Sequence, residues 1–269
     1  MGSAVKSTAR GLKLRARVGA GKLKTFQEGI LAWYQRHGRD LPWRRTQDPY
    51  AILVSEILLH QTQVKTVIPV YEAFLQRFPT VADLAQASLA EVKAITDPLG
   101  YKVRGRWLHD IARHLVAHHG GQVPGSLAEL LRLPGIGRYT AGAVLSFGFG
   151  VDAPILDTNV NRLLGRFFGL NHRDARAMTR HRLWALAEAV IPPGEGPTFN
   201  QALMDVGAMI CTARNPACLI CPVATACAQR GDQESADGAA EEAPVYGEGS
   251  EWAEPSQVWF ENREEPPDN

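Results

Sequence analysis

The chain has 269 residues, 45% hydrophobic and 21% charged, which suffices for one large core or two small ones and excludes a fibre or a wholly unfolded chain. Its longest apolar stretch, Ala51 to Leu59, is interrupted by Ser55 and Glu56 and is too short to span a bilayer, so no membrane partner is expected. The net charge of +1 hides an asymmetry: residues 231–269 hold twelve acidic side chains against Arg263, leaving 28 basic and 16 acidic residues elsewhere, an excess that suits a polyanionic partner or a plainly solvated surface.

Residues 1–24 carry Lys6, Arg10, Lys13, Arg15, Arg17, Lys22 and Lys24, with no acidic residue and no apolar secretory core. Export is therefore not expected, and the segment suits an arm lying along DNA, a solubilising tail or an organellar transit peptide, in that order. From Thr25 to about Cys211, apolar residues recur at three- and four-residue spacing without sustained alternation, which predicts an all-α protein. The expected helices are Thr25–Arg36, Pro49–Leu59, Gln63–Arg77, Leu89–Ile95, Val103–His118, Leu127–Arg132, Tyr139–Phe147, Thr158–Phe168, Ala175–Val190 and Asn200–Met209. After Gln229 the composition turns to Gly, Glu, Ala, Pro and Ser, predicting a disordered acidic tail over 231–269. Trp252, Val258, Trp259 and Phe260 leave open a docking motif or the remnant of a further domain there.

Four features along this run carry chemistry. Glu56 is the one charged residue between Ala51 and Leu59. If partly buried it would hold a proton near neutral pH and could act as a general acid; a solvent-facing Glu is equally open from the pattern alone. The string Leu133-Pro134-Gly135-Ile136-Gly137-Arg138-Tyr139-Thr140-Ala141 places two glycines at a helix junction. Glycine tolerates positive φ and close backbone approach, and amides opening the next helix can take a phosphate oxygen, although Gly-x-Gly is often just a tight turn. Asp157, preceding Thr158-Asn159-Val160, suits a helix N-cap. Finally, Cys211-x6-Cys218-x2-Cys221-x5-Cys227 gathers all the cysteines in one loop that could wrap a single metal centre. Structural zinc, which more often uses paired Cys-x2-Cys knuckles, and disulfides are the rivals.

The cysteine spacing resembles the [4Fe–4S] loop of endonuclease III and MutY glycosylases, iron–sulfur DNA glycosylases of the helix-hairpin-helix superfamily, and the resemblance runs from about Thr25 to Gln229. It implies a [4Fe–4S] cluster on Cys211, Cys218, Cys221 and Cys227, away from the chemistry, in a loop whose Arg214 faces the DNA backbone. The Leu-Pro-Gly-Ile-Gly string resembles the helix-hairpin-helix, implying that Gly135, Gly137, Arg138 and Thr140 hold phosphate without reading sequence. Ser55 to Val64 resembles the MutY segment Ser-Glu-x-x-Leu-Gln-Gln-Thr-x-Val, with His60 standing where the first paired glutamine would be. By that likeness Glu56 protonates adenine and Gln61 wedges into the stack as the target base leaves it; Asp157, within Pro154 to Val160, stands where the family has an aspartate shortly after the hairpin, which implies that it stabilises the positive sugar while Asn159 beside it meets DNA.

Leu99-Gly100-Tyr101 resembles the family loop that reads the base opposite, with Arg104 and Arg106 as backbone clamps and Tyr101 as ordinary core packing the alternative. Tyr139 occupies the position of the endonuclease III lysine and cannot form a Schiff base, which implies a monofunctional enzyme using water. Leu41 to Arg44 and Phe199 to Ala208 complete the resemblance as structural segments. The implied architecture is a six-helix barrel lobe over 48–151 and a cluster lobe from 25–47 and 152–230, with Glu56, Tyr139 and Asp157 converging between them. The implied activity is removal of adenine mispaired with 8-oxoguanine or guanine. A thymine or uracil glycosylase for mismatches with guanine and a non-catalytic DNA-binding iron–sulfur protein are the alternatives. The expected partner is double-stranded DNA with a mismatched or damaged pair, bound by a monomer in the cytoplasm or nucleoid.

Overall fold

The computed structural model describes residues 19–170 and 176–230, with the side chains of 176–180 left aside; the expectations for the first eighteen residues and for the acidic tail lie outside them. Among the described residues every regular element is helical. The helices are α1 (Ala20–His37), α2 (Pro49–Leu58), α3 (Val64–Arg77), α4 (Val81–Gln86), α5 (Leu89–Thr96), α6 (Val103–His119), α7 (Leu127–Leu130), α8 (Arg138–Phe149), α9 (Thr158–Phe168), α10 (Arg176–Val190) and α11 (Gly196–Met209), with short 3-10 turns between some of them. None is long and apolar enough to cross a membrane.

The chain divides into two compact units, one running up to Leu53 and resuming at Gly142, the other Val54–Ala141. In the first, α1 and α9 both pack on α11. Phe26 of α1 meets the rings of Phe167, Phe168 and Phe199 at 4.5, 5.2 and 6.1 Å between centroids, and burial of these rings dominates the local stabilisation. Lys22 explains why α1 begins five residues before the periodicity suggests: its ammonium lies 5.2 and 5.8 Å from the Phe167 and Phe168 rings, so a basic turn is anchored on an aromatic surface. Asp205 of α11, fully buried, accepts hydrogen bonds from the Arg39 amide at 2.9 Å and Nε at 2.7 Å and from both terminal nitrogens of Arg44 at 2.8 Å. Two guanidinium groups thus tie the turn after α1 to the helix leading into the cysteine loop.

In the second unit α6 is the central helix, packed against α4 and α5. Its buried face, Leu108, Ile111, Ala112 and Leu115, shares the core with Val67, Phe74, Leu84 and Val92. Thr80 and Ser88 each close a capping box, with Asp83 and Glu91 bonding back to the cap amide, so α4 and α5 start where their first-turn amides find side-chain acceptors. Helix α6 ends at Gly120, whose φ of 58° is the left-handed value a C-terminal glycine supplies.

Candidate active site and cysteine loop

In the unit Val54–Ala141, Glu56 lies on α2 among fully buried neighbours, Val54, Ser55, Ile57 and Leu58, and is itself only 4% exposed. The solvent-facing alternative is thereby excluded. The chain then leaves the helix through a strained turn. Gln61 has φ of 52°, unusual for a residue with a Cβ, and its side chain is exposed. The next predicted loop behaves alike: Gly100, at φ 76° and ψ −162°, occupies a region essentially restricted to glycine, and Tyr101 has φ of 36°. Tyr101 is 41% exposed, so it is not a core residue.

Arg104 corrects an expectation. It is fully buried rather than placed at a DNA backbone. Its guanidinium donates to the Leu58 carbonyl at 3.0 Å, the His60 carbonyl at 2.6 Å and the Thr62 hydroxyl at 2.9 Å, so it closes the end of α2 and fixes the turn bearing Gln61. A phosphate could reach it only by breaking those bonds, whereas Arg106 is exposed. Burial lowers the Arg104 pKa, opposed by the Tyr101 ring oxygen.

At the hairpin, Gly135 takes φ of 73°, and a Cβ there would lie 2.4 Å from the Trp107 ring, so the position requires glycine for conformation and for space alike. The Ala141 amide bonds to the Gly137 carbonyl at 2.9 Å, which makes Gly137 the cap of α8. The opening of α8 presents a helix dipole's positive end, the usual seat for an anion. Arg138 at that end is exposed. Thr140 differs from expectation, because its side chain is buried and its hydroxyl lies 3.4 Å from His60 Nε2. Any part it takes in binding phosphate falls to its backbone. His60 is held near pKa 4, first by burial and then by Arg104, and is neutral at physiological pH. The sequence marked His60 only as a departure from a motif.

In the other unit, Asp157 caps α9 by accepting from the Val160 amide at 2.7 Å, as its position suggested. Asn159 Nδ2 donates to its second oxygen at 2.9 Å. Burial raises the Asp157 pKa, against the pull of the Val160 amide and Asn159. Asn159 is therefore a partner of the carboxylate, and its Oδ1 accepts from Arg162 Nη2 at 2.8 Å. Arg162 continues to the carbonyls of Cys211 at 2.7 Å and Gly207 at 2.8 Å, while Arg166 Nη1 lies 3.5 Å from the Cys211 sulfur. Polar contacts thus run from Asp157 to the first cysteine. Arg162 and Asn159 stand three residues apart on one helix face, a spacing that could have revealed the link.

None of the four cysteines is paired in a disulfide. Burial raises the Cys221 pKa, and repulsion from Cys211, Cys227 and Cys218 adds to it against the Val223 amide, so the four sulfurs share one electrostatic neighbourhood. Such a donor set suits a group that binds thiolates and offsets their charge. Arg214, within this loop, is exposed.

Residues 54–189 match the family model for HhH-GPD superfamily base excision DNA repair proteins, and residues 211–227 match that for the iron–sulfur binding domain of endonuclease III. The loop accordingly holds a [4Fe–4S] cluster. The chain is 42% identical over 224 residues to an adenine DNA glycosylase of Homo sapiens, covering 79% of this chain and 41% of that protein. It is 40% identical over 203 residues to a thymine/uracil-DNA glycosylase of Pyrobaculum aerophilum, covering 74% of this chain and 88% of that one. A solved structure of a thermostable thymine-DNA glycosylase superposes with a TM-score of 0.75 at 34% identity, covering 79% of this chain and 98% of that one. The chain thus spans less than half the length of the human relative and nearly all of the archaeal one.

Proposed function

The chain belongs to the HhH-GPD superfamily of base excision DNA repair proteins, and we propose that within it this protein is a monofunctional DNA glycosylase that removes adenine mispaired with 8-oxoguanine or guanine. The observation that carries the reading is Glu56, a carboxyl 4% exposed on an apolar helix turn and followed by Gln61 in a left-handed conformation. A carboxyl so placed is kept from solvent and can deliver its proton to a purine ring nitrogen as the base departs, which is what excision of adenine demands.

In this reading the start of α8, with Gly135, Gly137 and Arg138, holds the DNA backbone, Gln61 enters the stack, and Gly100 and Tyr101 meet the base opposite. Proton transfer from Glu56 to the base accompanies cleavage of the glycosidic bond, whose electron pair leaves with the base. The Asp157 carboxylate, oriented by Val160 and Asn159, offsets the positive charge left on the sugar. Water then bonds to that carbon and its proton passes to bulk solvent; Tyr139 offers no amine that could take the place of water and form a Schiff base. Cys211, Cys218, Cys221 and Cys227 hold the cluster, which supplies loop structure. Duplex DNA with a mismatched pair is the partner, bound by a monomer in the cytoplasm or nucleoid; the barrel lobe is read as 48–151 and the cluster lobe as 25–47 and 152–230, limits up to ten residues from those of the compact units.

A second reading, a thymine or uracil glycosylase, is favoured by one observation: the Pyrobaculum thymine/uracil glycosylase is 40% identical over 203 residues, nearly as similar as the human adenine glycosylase at 42% over 224. Single-turnover excision from adenine, thymine and uracil mismatches by the wild type separates them, and Glu56→Gln on adenine tests the chemistry. Loss of about 10²–10⁴-fold on adenine supports the proton-donor role, and an unchanged adenine rate contradicts it.

A further inference from the structure

Three segments of the unit Val54–Ala141 that the proposed function places against DNA, the turn after α2, the Gly100–Tyr101 loop and the hairpin, converge on one side chain. Trp107, on α6 and 8% exposed, meets the His60 ring edge to face at 6.0 Å and the Tyr101 ring at 5.7 Å. The hairpin lies against its other atoms: a Cβ at Gly135 would come within 2.4 to 2.8 Å of the Trp107 ring carbons. His60 in turn reaches Thr140 at the start of α8, and Arg104, one turn before Trp107 on α6, fixes the His60 carbonyl and stacks on Tyr101 at 5.8 Å.

The cluster is not arranged for stability alone. Trp107 Nε1 and Arg104 Nε are both buried without a hydrogen-bond partner, each an unfavourable feature that apolar residues of similar size would remove. The positive φ values of Gln61 and Tyr101, on two of the segments it touches, are likewise strained. Unpaired donors and strained backbone together mark a place where geometry is kept at the expense of stability.

We propose that Trp107 is a positioning residue that locks the Gln61 turn, the Gly100–Tyr101 loop and the phosphate-holding hairpin into one geometry, so that seating the hairpin on the backbone sets the wedge and the opposite-base reader in register. The inference rests on the glycosylase reading given above. Trp107 touches neither base nor sugar; it acts through His60, Tyr101 and Gly135.

The test uses the full cluster-loaded chain with Trp107→Ala and Trp107→Phe, a duplex bearing 2-aminopurine at the target position to report base extrusion, single-turnover excision, and active-fraction titration. In Trp107→Ala, affinity for undamaged duplex stays within about threefold, because the glycines and the start of α8 remain. Extrusion and excision per active molecule fall about 10²-fold, the cost of misplacing a positioned group by about 1 Å. Trp107→Phe keeps one ring against Gly135 and falls about tenfold, in keeping with weakened aromatic contacts. If Trp107→Ala does not fold, the Phe variant decides alone. A purely structural role lowers the melting temperature and the active fraction but leaves the rate of active molecules at the wild-type value, and that result overturns the proposal. Wild-type protein that excises no base from any mismatch overturns the glycosylase reading instead.

Discussion

Asp157 caps α9 from a half-buried position, and desolvation there raises its pKa against the opposing amide of Val160 and side chain of Asn159. A carboxyl with its folded-state pKa above the unfolded value favours folding in its protonated form. That contribution is complete below the unfolded value near 3.9 and is lost as pH rises through the folded value. Asn caps helices about as well as Asp and carries no charge. Asp157→Asn should therefore melt at a higher temperature than wild type at pH 7, the two curves converging as pH falls through the carboxylate range, while single-turnover excision drops about 10²–10³-fold. Equal or lower stability at pH 7 would mean the carboxylate is better solvated than its burial implies. His60 gives the opposite pH signature. Its folded pKa, near 4, lies below the ordinary 6.5, so its contribution is present above 6.5 and lost as pH falls toward 4. Thermal melts of His60→Gln against wild type between pH 7 and 4 should show the wild type losing more stability, and parallel curves would refute the assignment. The capping role of Asp157 was legible because it follows from the residue types next to it. The buried position of Arg104 was not: an arginine in a basic stretch looks like a surface cation, and only the carbonyls ending α2, more than forty positions away in sequence, say otherwise.

At the scale of elements, most helices followed from periodicity, and the deviations have local causes. Helix α4 was missed because six residues are too few to display a period, although Thr80-x-x-Asp83 carried the signature of its capping box. Helix α11 begins four residues before expectation, where Pro197 occupies its first turn and the Asp152 carboxylate accepts from the Gly194 and Gly196 amides at 2.8 and 2.9 Å. The knot at Asp205 lay beyond sequence reading, since Arg39 and Arg44 are more than 160 positions away. The hydrogen bonds of Arg44 and Arg39 outweigh burial and hold the Asp205 pKa below the usual range. Its stabilising contribution is present above the unfolded carboxylate pKa and is lost as pH falls through the folded value. Asp205→Ala should cost about 3–5 kcal/mol in urea unfolding at pH 7, since it strands guanidinium groups with no carboxylate; a cost under about 1 kcal/mol would mean that water replaces the carboxylate. The cysteine pattern was the most legible element, because four thiols in one short loop need a common centre. Cys218→Ser should lower bound iron and the visible absorption of the cluster while helicity measured by circular dichroism changes little. Full iron content in that variant would remove Cys218 from the ligand set.

At the scale of the whole molecule, charge separates a basic body from an acidic terminal segment, the body carrying 28 basic and 16 acidic residues. A protein that neutralises phosphates releases counterions, so duplex affinity should fall steeply as salt rises. A chain ending at Arg230 should bind undamaged duplex more tightly than the full chain at low salt, with the difference fading as salt screens the acidic segment; identical salt curves would separate that segment from DNA binding. Which base is removed depends on a pocket that neither charge nor fold specifies, and relatives of similar identity are named for adenine and for thymine or uracil. The most direct measurement is single-turnover excision by the cluster-loaded chain on duplexes containing A:8-oxoguanine, A:G, T:G and U:G, each read with and without alkali. Adenine should be released from the first two, with strand breaks only after alkali because Tyr139 supplies no amine; release of thymine or uracil with adenine left in place would overturn the adenine reading.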